Sequence, residues 1–251
     1  MLVEQTLDKL SALKLHGMTK ALREWLDRPK DKELAPADLI GLLADAEWLL
    51  RENRRLASRL KTAKLRQQAC VEDVNYAYPR GLSKALMLDL ASSRWVAAHQ
   101  NVILTGPTGV GKSYLACALA NKACRDGYSV VYRRTSRLLD ELAQARADGT
   151  FHDLLRRLAK VQVLVLDDFA FEVLGPSERK HLNEVLEDRC GISSLIITSQ
   201  RDPKDWPAVI SDGTVADSIS DRVVHNAHRI KLTGESIRKL QAEKAKKQSE
   251  G

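Results

Sequence analysis

Gly106-Pro107-Thr108-Gly109-Val110-Gly111-Lys112-Ser113 is the stretch on which the reading of this chain turns. It fits G-x-x-x-x-G-K-[ST], the pattern of a phosphate-binding P-loop. The apolar run Val102-Ile103-Leu104 precedes it, and a helix-like stretch from Ser113 and Tyr114 to Ala120 follows. That is the strand–loop–helix setting the motif requires. Its glycines let the backbone turn N–H groups toward phosphate oxygens, and the N-terminus of the helix favours an anion. The expected cradle runs from Gly106 to Tyr114. Lys112 is expected to reach the β- and γ-phosphates and Ser113 to ligate Mg²⁺.

A nucleotide site needs a second half. Val163-Leu164-Val165-Leu166-Asp167-Asp168 supplies it. The unbroken apolar run reads as a strand buried on both faces. A carboxylate at the C-terminal end of such a strand lies beside the P-loop of an α/β sheet. Asp167 is the expected metal partner, and Asp168 is placed to orient or activate a water. The two motifs together point to a nucleoside triphosphate and magnesium.

At 251 residues and 44% apolar, the chain has room for one large domain with an appendage. No stretch has the length and apolarity of a membrane span, so no membrane partner is expected. Cys70, Cys117, Cys124 and Cys190 lack metal-ligand spacing and fit free thiols in a reducing cytoplasm. The formal charge of +7 makes a polyanionic partner plausible.

Residues 1–70 read as a small all-helical N-terminal domain. Leu2, Leu7, Leu10, Leu13, Met18, Leu22 and Leu26 recur at helical spacing, and Arg28-Pro29-Lys30-Asp31 interrupts them. Pro36 suits the first turn of a further helix, which continues as a basic stretch from Arg51 to Arg66. The turn-rich segment 71–81 reads as a linker, and 241–251 as a charged flexible tail. Between them, over 82–240, strands and helices alternate. Strands are expected at Val102–Thr105, Ser129–Arg133, Val163–Leu166, Ser194–Thr198 and Arg229–Leu232. Such alternation means an α/β fold, a mainly parallel sheet with helices on both faces.

Three features narrow the class. Ile196-Ile197-Thr198-Ser199-Gln200 ends a strand able to lie beside the one carrying Asp167, so the Gln200 amide is a candidate to orient the attacking water. Arg222, in Asp217-Ser218-Ile219-Ser220-Asp221-Arg222, is a candidate for an arginine supplied to a neighbouring subunit's γ-phosphate. Its alternative is a local ion pair with Asp221. Arg238, in Gly234-Glu235-Ser236-Ile237-Arg238, is placed to reach the nucleotide from the C-terminal side. His225 and His228 have a spacing that could seat a metal, but two histidines alone are more often structural.

With GPTGVGKS, VLVLDDFA, IITSQ, DRVVHNAHRI and GESIRK, the chain resembles the IstB-type insertion-sequence transposition helper ATPases. These belong to the initiator and helicase-loader clade of AAA+ proteins. The resemblance covers about Arg80 to Lys239. It implies a P-loop AAA+ ATPase using ATP and Mg²⁺, which assembles as a homo-oligomer on double-stranded DNA. It also implies that the protein shapes target DNA and recruits or stimulates a cognate transposase. Most AAA+ proteins have Glu where this chain has Asp168, one methylene shorter. By resemblance, Arg133, Arg134 and Arg137 are the favoured DNA contacts, and Arg156, Arg157 and Lys160 come second. The basic helix from Arg51 to Arg66 competes with both. Backbone-directed, weakly sequence-specific binding is expected. A replicative helicase loader shares the nucleotide site and is the first alternative. A P-loop kinase acting on a small molecule is the second, disfavoured by the basic helical N-terminal region and by Arg222.

Overall fold

The computed structural model describes residues 2–27 and 34–240. The break expected at Arg28–Asp31 and the charged tail at 241–251 lie outside the described residues. By internal contacts the chain divides into two units, Met1–Ser58 and Arg59–Gly251. The turn-rich segment 71–81 falls inside the second unit.

In the first unit, α1 (Leu2–Ala12) packs on α2 (His16–Leu26); α3 (Pro36–Ala63) begins in it, and its last residues belong to the second. Leu15, the residue before α2, makes no side-chain cap. Glu47 of α3 does that work: its Oε2 accepts from the N–H of Gly17 at 2.6 Å and of Met18 at 3.3 Å. The first-turn N–H groups of a helix lack intrahelical partners, and an anion there is favoured. Burial raises the Glu47 pKa, but the bonds from Arg51, Gly17 and Met18 outweigh it and hold the carboxyl below its ordinary range. The stability from this cap is therefore present above the ordinary glutamate pKa and is lost as pH falls through the lower, folded value.

The second unit is built on a five-stranded, wholly parallel sheet. Its strands are β1 (Asn101–Thr105), β2 (Val130–Arg134), β3 (Val163–Phe169), β4 (Ser194–Ser199) and β5 (Ala227–Lys231), in the order β2-β3-β4-β1-β5. Before β1 come α4 (Lys84–Leu90) and α5 (Arg94–Ala97). After it come α6 (Lys112–Arg125), α7 (Thr135–Ala147), α8 (Phe151–Ala159), α9 (Pro176–Glu187), α10 (Trp206–Ile210) and α11 (Gly213–Val224). The α4, α5, α10 and α11 segments carry too short or too mixed an apolar pattern to announce themselves. Among the described residues no helix is long and apolar enough to cross a membrane.

Side chains alternate across a strand. Leu164 and Leu166 of β3, with Leu195 and Ile197 of β4, join the apolar cluster under α7 to α11, around Leu138, Phe151, Leu182 and Trp206. Val163, Val165 and Asp167 take the other face, where α6 packs on β3 and β4. Register sets Val165 beside Tyr132 on β2 and Ile196 on β4. Tyr132, Asp167 and Thr198 thus share the face that carries the P-loop.

Gly17 fits where no Cβ does: one built there would stand 2.5 Å from the Ala46 carbonyl oxygen and 2.6 Å from the Glu47 Cα. Both are backbone atoms that cannot rotate away. Gly17→Ala is expected to destabilise the first unit by about 1–3 kcal/mol, the usual cost of overpacking. Urea unfolding followed by circular dichroism checks this.

Candidate nucleotide site

The P-loop leaves β1 at Gly106 and enters α6 at Lys112. Gly109 and Gly111 hold φ of 87° and 96°, in the left-handed region that costs glycine little. A Cβ on Gly111 would also stand 2.5 Å from Nη1 of Arg80. Arg80 is buried beneath the loop and donates to the Val110 carbonyl at 3.0 Å and to the Asn75 carbonyl at 3.0 Å. The chain after β5 also lies along the loop, with Ile237 N–H donating to the Gly109 carbonyl at 3.0 Å.

Lys112 is only 7% exposed, and its ammonium donates to the carbonyls of Gly106 (2.7 Å) and Pro107 (2.8 Å). Burial holds its pKa below the ordinary lysine range; Asp168 and Asp167 pull the other way, and nearby Arg238 adds to the depression. An anion beside Lys112 would reverse that penalty.

Asp167 is fully enclosed. Its Oδ1 accepts from Ser113 Oγ at 2.7 Å and from Thr198 Oγ1 at 2.5 Å. Its Oδ2 accepts from the Tyr132 hydroxyl and lies 3.5 Å from Nη1 of Arg66. Burial, and then Asp167 itself, push the Tyr132 pKa up, so the phenol stays a donor. The next residue leaves the pleat. Asp168 has φ of 57°, and the β3–β4 register shifts between Leu166 and Phe169. Bulges of this kind re-aim side chains beside active sites. Asp168 turns to a cavity of about 830 Å³, which Lys112, Ser113, Thr108 and Arg238 also line. Its backbone N–H donates to Thr198 Oγ1 at 3.0 Å. Its carboxylate is gripped by Arg134, at 2.9 Å from Nη2 and 3.2 Å from Nε. Ser113 Oγ and the Asp167 carboxylate are the hard oxygen donors available to a divalent cation.

The structure thus gathers Gly106 to Tyr114, Asp167, Asp168, Gln200 and Arg238 at one end of the sheet. Gln200 is exposed and lines the cavity, while the hydroxyl that touches both aspartates belongs to Thr198. Arg222 lies elsewhere: it reaches Asn183 at 3.3 Å and Glu187 at 3.4 Å on α9, and Asp221 pairs with His225 instead. His225 precedes β5 and His228 lies within it, bonded to Gln100 at 2.8 Å. No cluster of three or more His, Cys, Asp or Glu side chains suited to a metal occurs among the described residues. Arg66, Arg80, Tyr132 and Thr198 are site residues that sequence reasoning passed over. Thr198 alone had a signal, as a polar residue at the end of an apolar strand.

A P-loop strand separated from its acidic strand by one further strand, whose polar end contacts the acids, is the arrangement of the AAA+ class of P-loop ATPases. The solved structure of DnaI is similar, with a TM-score of 0.58 and 26% identity over 66% of this chain and 92% of that one. The chain belongs to the family of IstB-like ATP binding proteins, whose model matches residues 8–245. An insertion sequence ATP-binding protein of Sinorhizobium fredii, y4pL, is 50% identical over 245 residues, covering 98% of this chain and 100% of its own. The insertion sequence IS1162 ATP-binding protein of Pseudomonas fluorescens is 45% identical over 201 residues, covering 80% of this chain and 87% of its own. The protein is an ATP-binding AAA+ ATPase of insertion-sequence type.

Three substitutions separate binding from turnover. Lys112→Ala is expected to lose nucleotide affinity by the equivalent of about 1.5–3 kcal/mol, the worth of a hydrogen bond to a charged group. Asp168→Asn keeps binding and slows hydrolysis by about 10²–10⁴-fold. Thr198→Val also keeps binding, but slows hydrolysis less than Asp168→Asn because both carboxylates remain. Fluorescent-nucleotide titration alongside phosphate release checks all three.

Proposed function

We infer that this chain is the ATP-dependent helper of an insertion sequence. It oligomerises on duplex target DNA, remodels it and recruits or stimulates the partner transposase. The observation that carries this reading is the complete P-loop site in a chain that matches insertion-sequence ATP-binding proteins along nearly its whole length. The charge of +7 supports a polyanionic partner.

Mg²⁺ fits the site by donor chemistry. Ser113 Oγ and Asp167 Oδ1, 2.7 Å apart, are hard oxygens, and Mg²⁺ takes one or two such protein ligands and completes its shell with phosphates and water. When bound, the ion neutralises charge on the β- and γ-phosphate oxygens. Lys112 holds the same phosphates, and Asp168 orients or activates the water. Arg238 approaches from the C-terminal segment. Gln200 lies at the cavity wall, where its amide can meet the water.

DNA contact is assigned to the β2–α7–α8 surface. Arg137 and Arg157 are exposed, with no carboxylate partner among the described residues. Arg133 is paired with Glu141 at 2.9 Å, Arg156 with Asp153, and Arg134 with Asp168. A DNA phosphate that draws Arg134 away would free Asp168, which couples DNA binding to hydrolysis. Arg222 does not line its own subunit's cavity and is assigned to the neighbouring subunit's site.

Electron microscopy of the protein with duplex DNA and a non-hydrolysable ATP analogue tests the reading. Ordered oligomers on DNA are expected, and particles that stay monomeric beside bare DNA would sink it. Arg137→Ala with Arg157→Ala should weaken duplex binding equally on unrelated sequences. The slope of log affinity against log salt should shrink by about 0.9 for each DNA phosphate that is no longer neutralised. An unchanged slope moves the DNA surface to the basic helix. Mixing inactive Arg222→Ala with inactive Lys112→Ala subunits should restore some ATPase activity. A fully active Arg222→Ala protein would remove that residue from the site.

A further inference from the structure

Arg66 has been given no part in binding or turnover, yet its guanidinium lies inside the site. The residue follows the end of α3 at Ala63 and the left-handed Lys64, φ 50°. Its Nη1 stands 3.5 Å from Oδ2 of Asp167, and the neighbouring Tyr132 hydroxyl helps to hold its pKa up. That hydroxyl donates to the same Oδ2. Arg66 is 40% exposed at its side chain and lines the cavity, whereas Asp167 is sealed at 0%. The guanidinium is free to leave and the carboxylate is not.

The two oxygens of Asp167 keep different company. Oδ1 meets two neutral hydroxyls, those of Ser113 and Thr198. Oδ2 meets a phenol and a full positive charge. A buried carboxylate needs a counter-charge, and Arg66 supplies one. A divalent cation approaching Ser113 and Asp167 would compete with that guanidinium for the same carboxylate. Two cations a few ångströms apart repel, and nucleotide phosphates in the cavity give the guanidinium another acceptor.

We propose that Arg66 is an exchangeable counter-cation of Asp167, seated on the carboxylate when no divalent cation is there and displaced from it when cation and nucleotide phosphates enter. This rests on reading Ser113 and Asp167 as the cation's ligands. Arg66 is then a positioning residue that sets the Mg²⁺ concentration at which the site fills.

The test is equilibrium binding of a fluorescent ATP analogue to the full chain, titrated with Mg²⁺, for wild type, Arg66→Lys, Arg66→Ala and Asp167→Asn. Arg66→Ala should lower the half-saturating Mg²⁺ by about tenfold, the low end of what one neighbouring cation does to a carboxylate's proton affinity. Arg66→Lys keeps the charge and should stay nearer the wild type. A purely structural Arg66 would weaken nucleotide binding with and without Mg²⁺ and leave the midpoint where it was. An unmoved or raised midpoint in Arg66→Ala overturns the proposal. Wild-type binding that ignores Mg²⁺, or Asp167→Asn that keeps the wild-type dependence, overturns the assignment of the cation's ligands and the proposal with it. Thermal melts identify any variant that fails to fold, in which case Arg66→Gln replaces Arg66→Ala.

Discussion

A single buried carboxylate organises the catalytic end of this protein. Asp167 is shut off from solvent, and an ionised carboxyl in that position is tolerable only if its lone pairs are filled. Three hydroxyls bond to it and one cation neutralises it, each from a different piece of chain: Ser113 at the start of α6, Tyr132 on β2, Thr198 on β4 and, 3.5 Å away, Arg66 beyond α3. Loss of any one leaves a buried acceptor short of a partner. The same bonds fix the P-loop helix against the sheet and hold β3 between its neighbours, so the site and the local fold share one set of interactions.

Charge around the cavity is mixed. Arg66, Arg80, Lys112, Arg134 and Arg238 line it together with Asp73, Asp140, Asp168, Glu172 and Glu178. Burial, with Arg238 nearby, disfavours the charged form of Lys112, and an anion beside it would reverse that penalty. Arg134 stands at the end of β2, where its guanidinium holds the carboxylate of Asp168. The buried thiols play no part: burial pushes Cys117 up and Cys124 to about 11, which keeps both protonated.

The first unit is of a different kind. Leu7, Thr19 and Glu47 are buried there, while Leu2, Ile40, Trp48 and Leu49 are exposed. Its helices are joined by a close backbone approach at Gly17 and a carboxylate cap from Glu47 rather than by a deep apolar core.

The sequence alone determined the parallel α/β plan, the P-loop and the acidic strand end. Each of these is local: a glycine pattern between a strand and a helix, or an apolar run ending in two acids, carries its geometry in a few consecutive residues. It also placed Asp167 and Asp168 together at the strand end beside the P-loop. What only the tertiary structure decided was which side chains meet there. Tyr132 and Thr198 lie 35 and 31 positions from Asp167, Arg66 lies farther still, and nothing in the neighbourhoods of Tyr132 and Arg66 marks them. Strand order brings Tyr132 and Thr198 to one face, and a turn after α3 delivers Arg66. The same holds for the basic residues. Along the chain Arg133, Arg134 and Arg137 form one group by proximity. In the folded protein the first pairs with Glu141, the second with Asp168, and the third points to solvent, because successive positions across a strand end and a helix start face different neighbours.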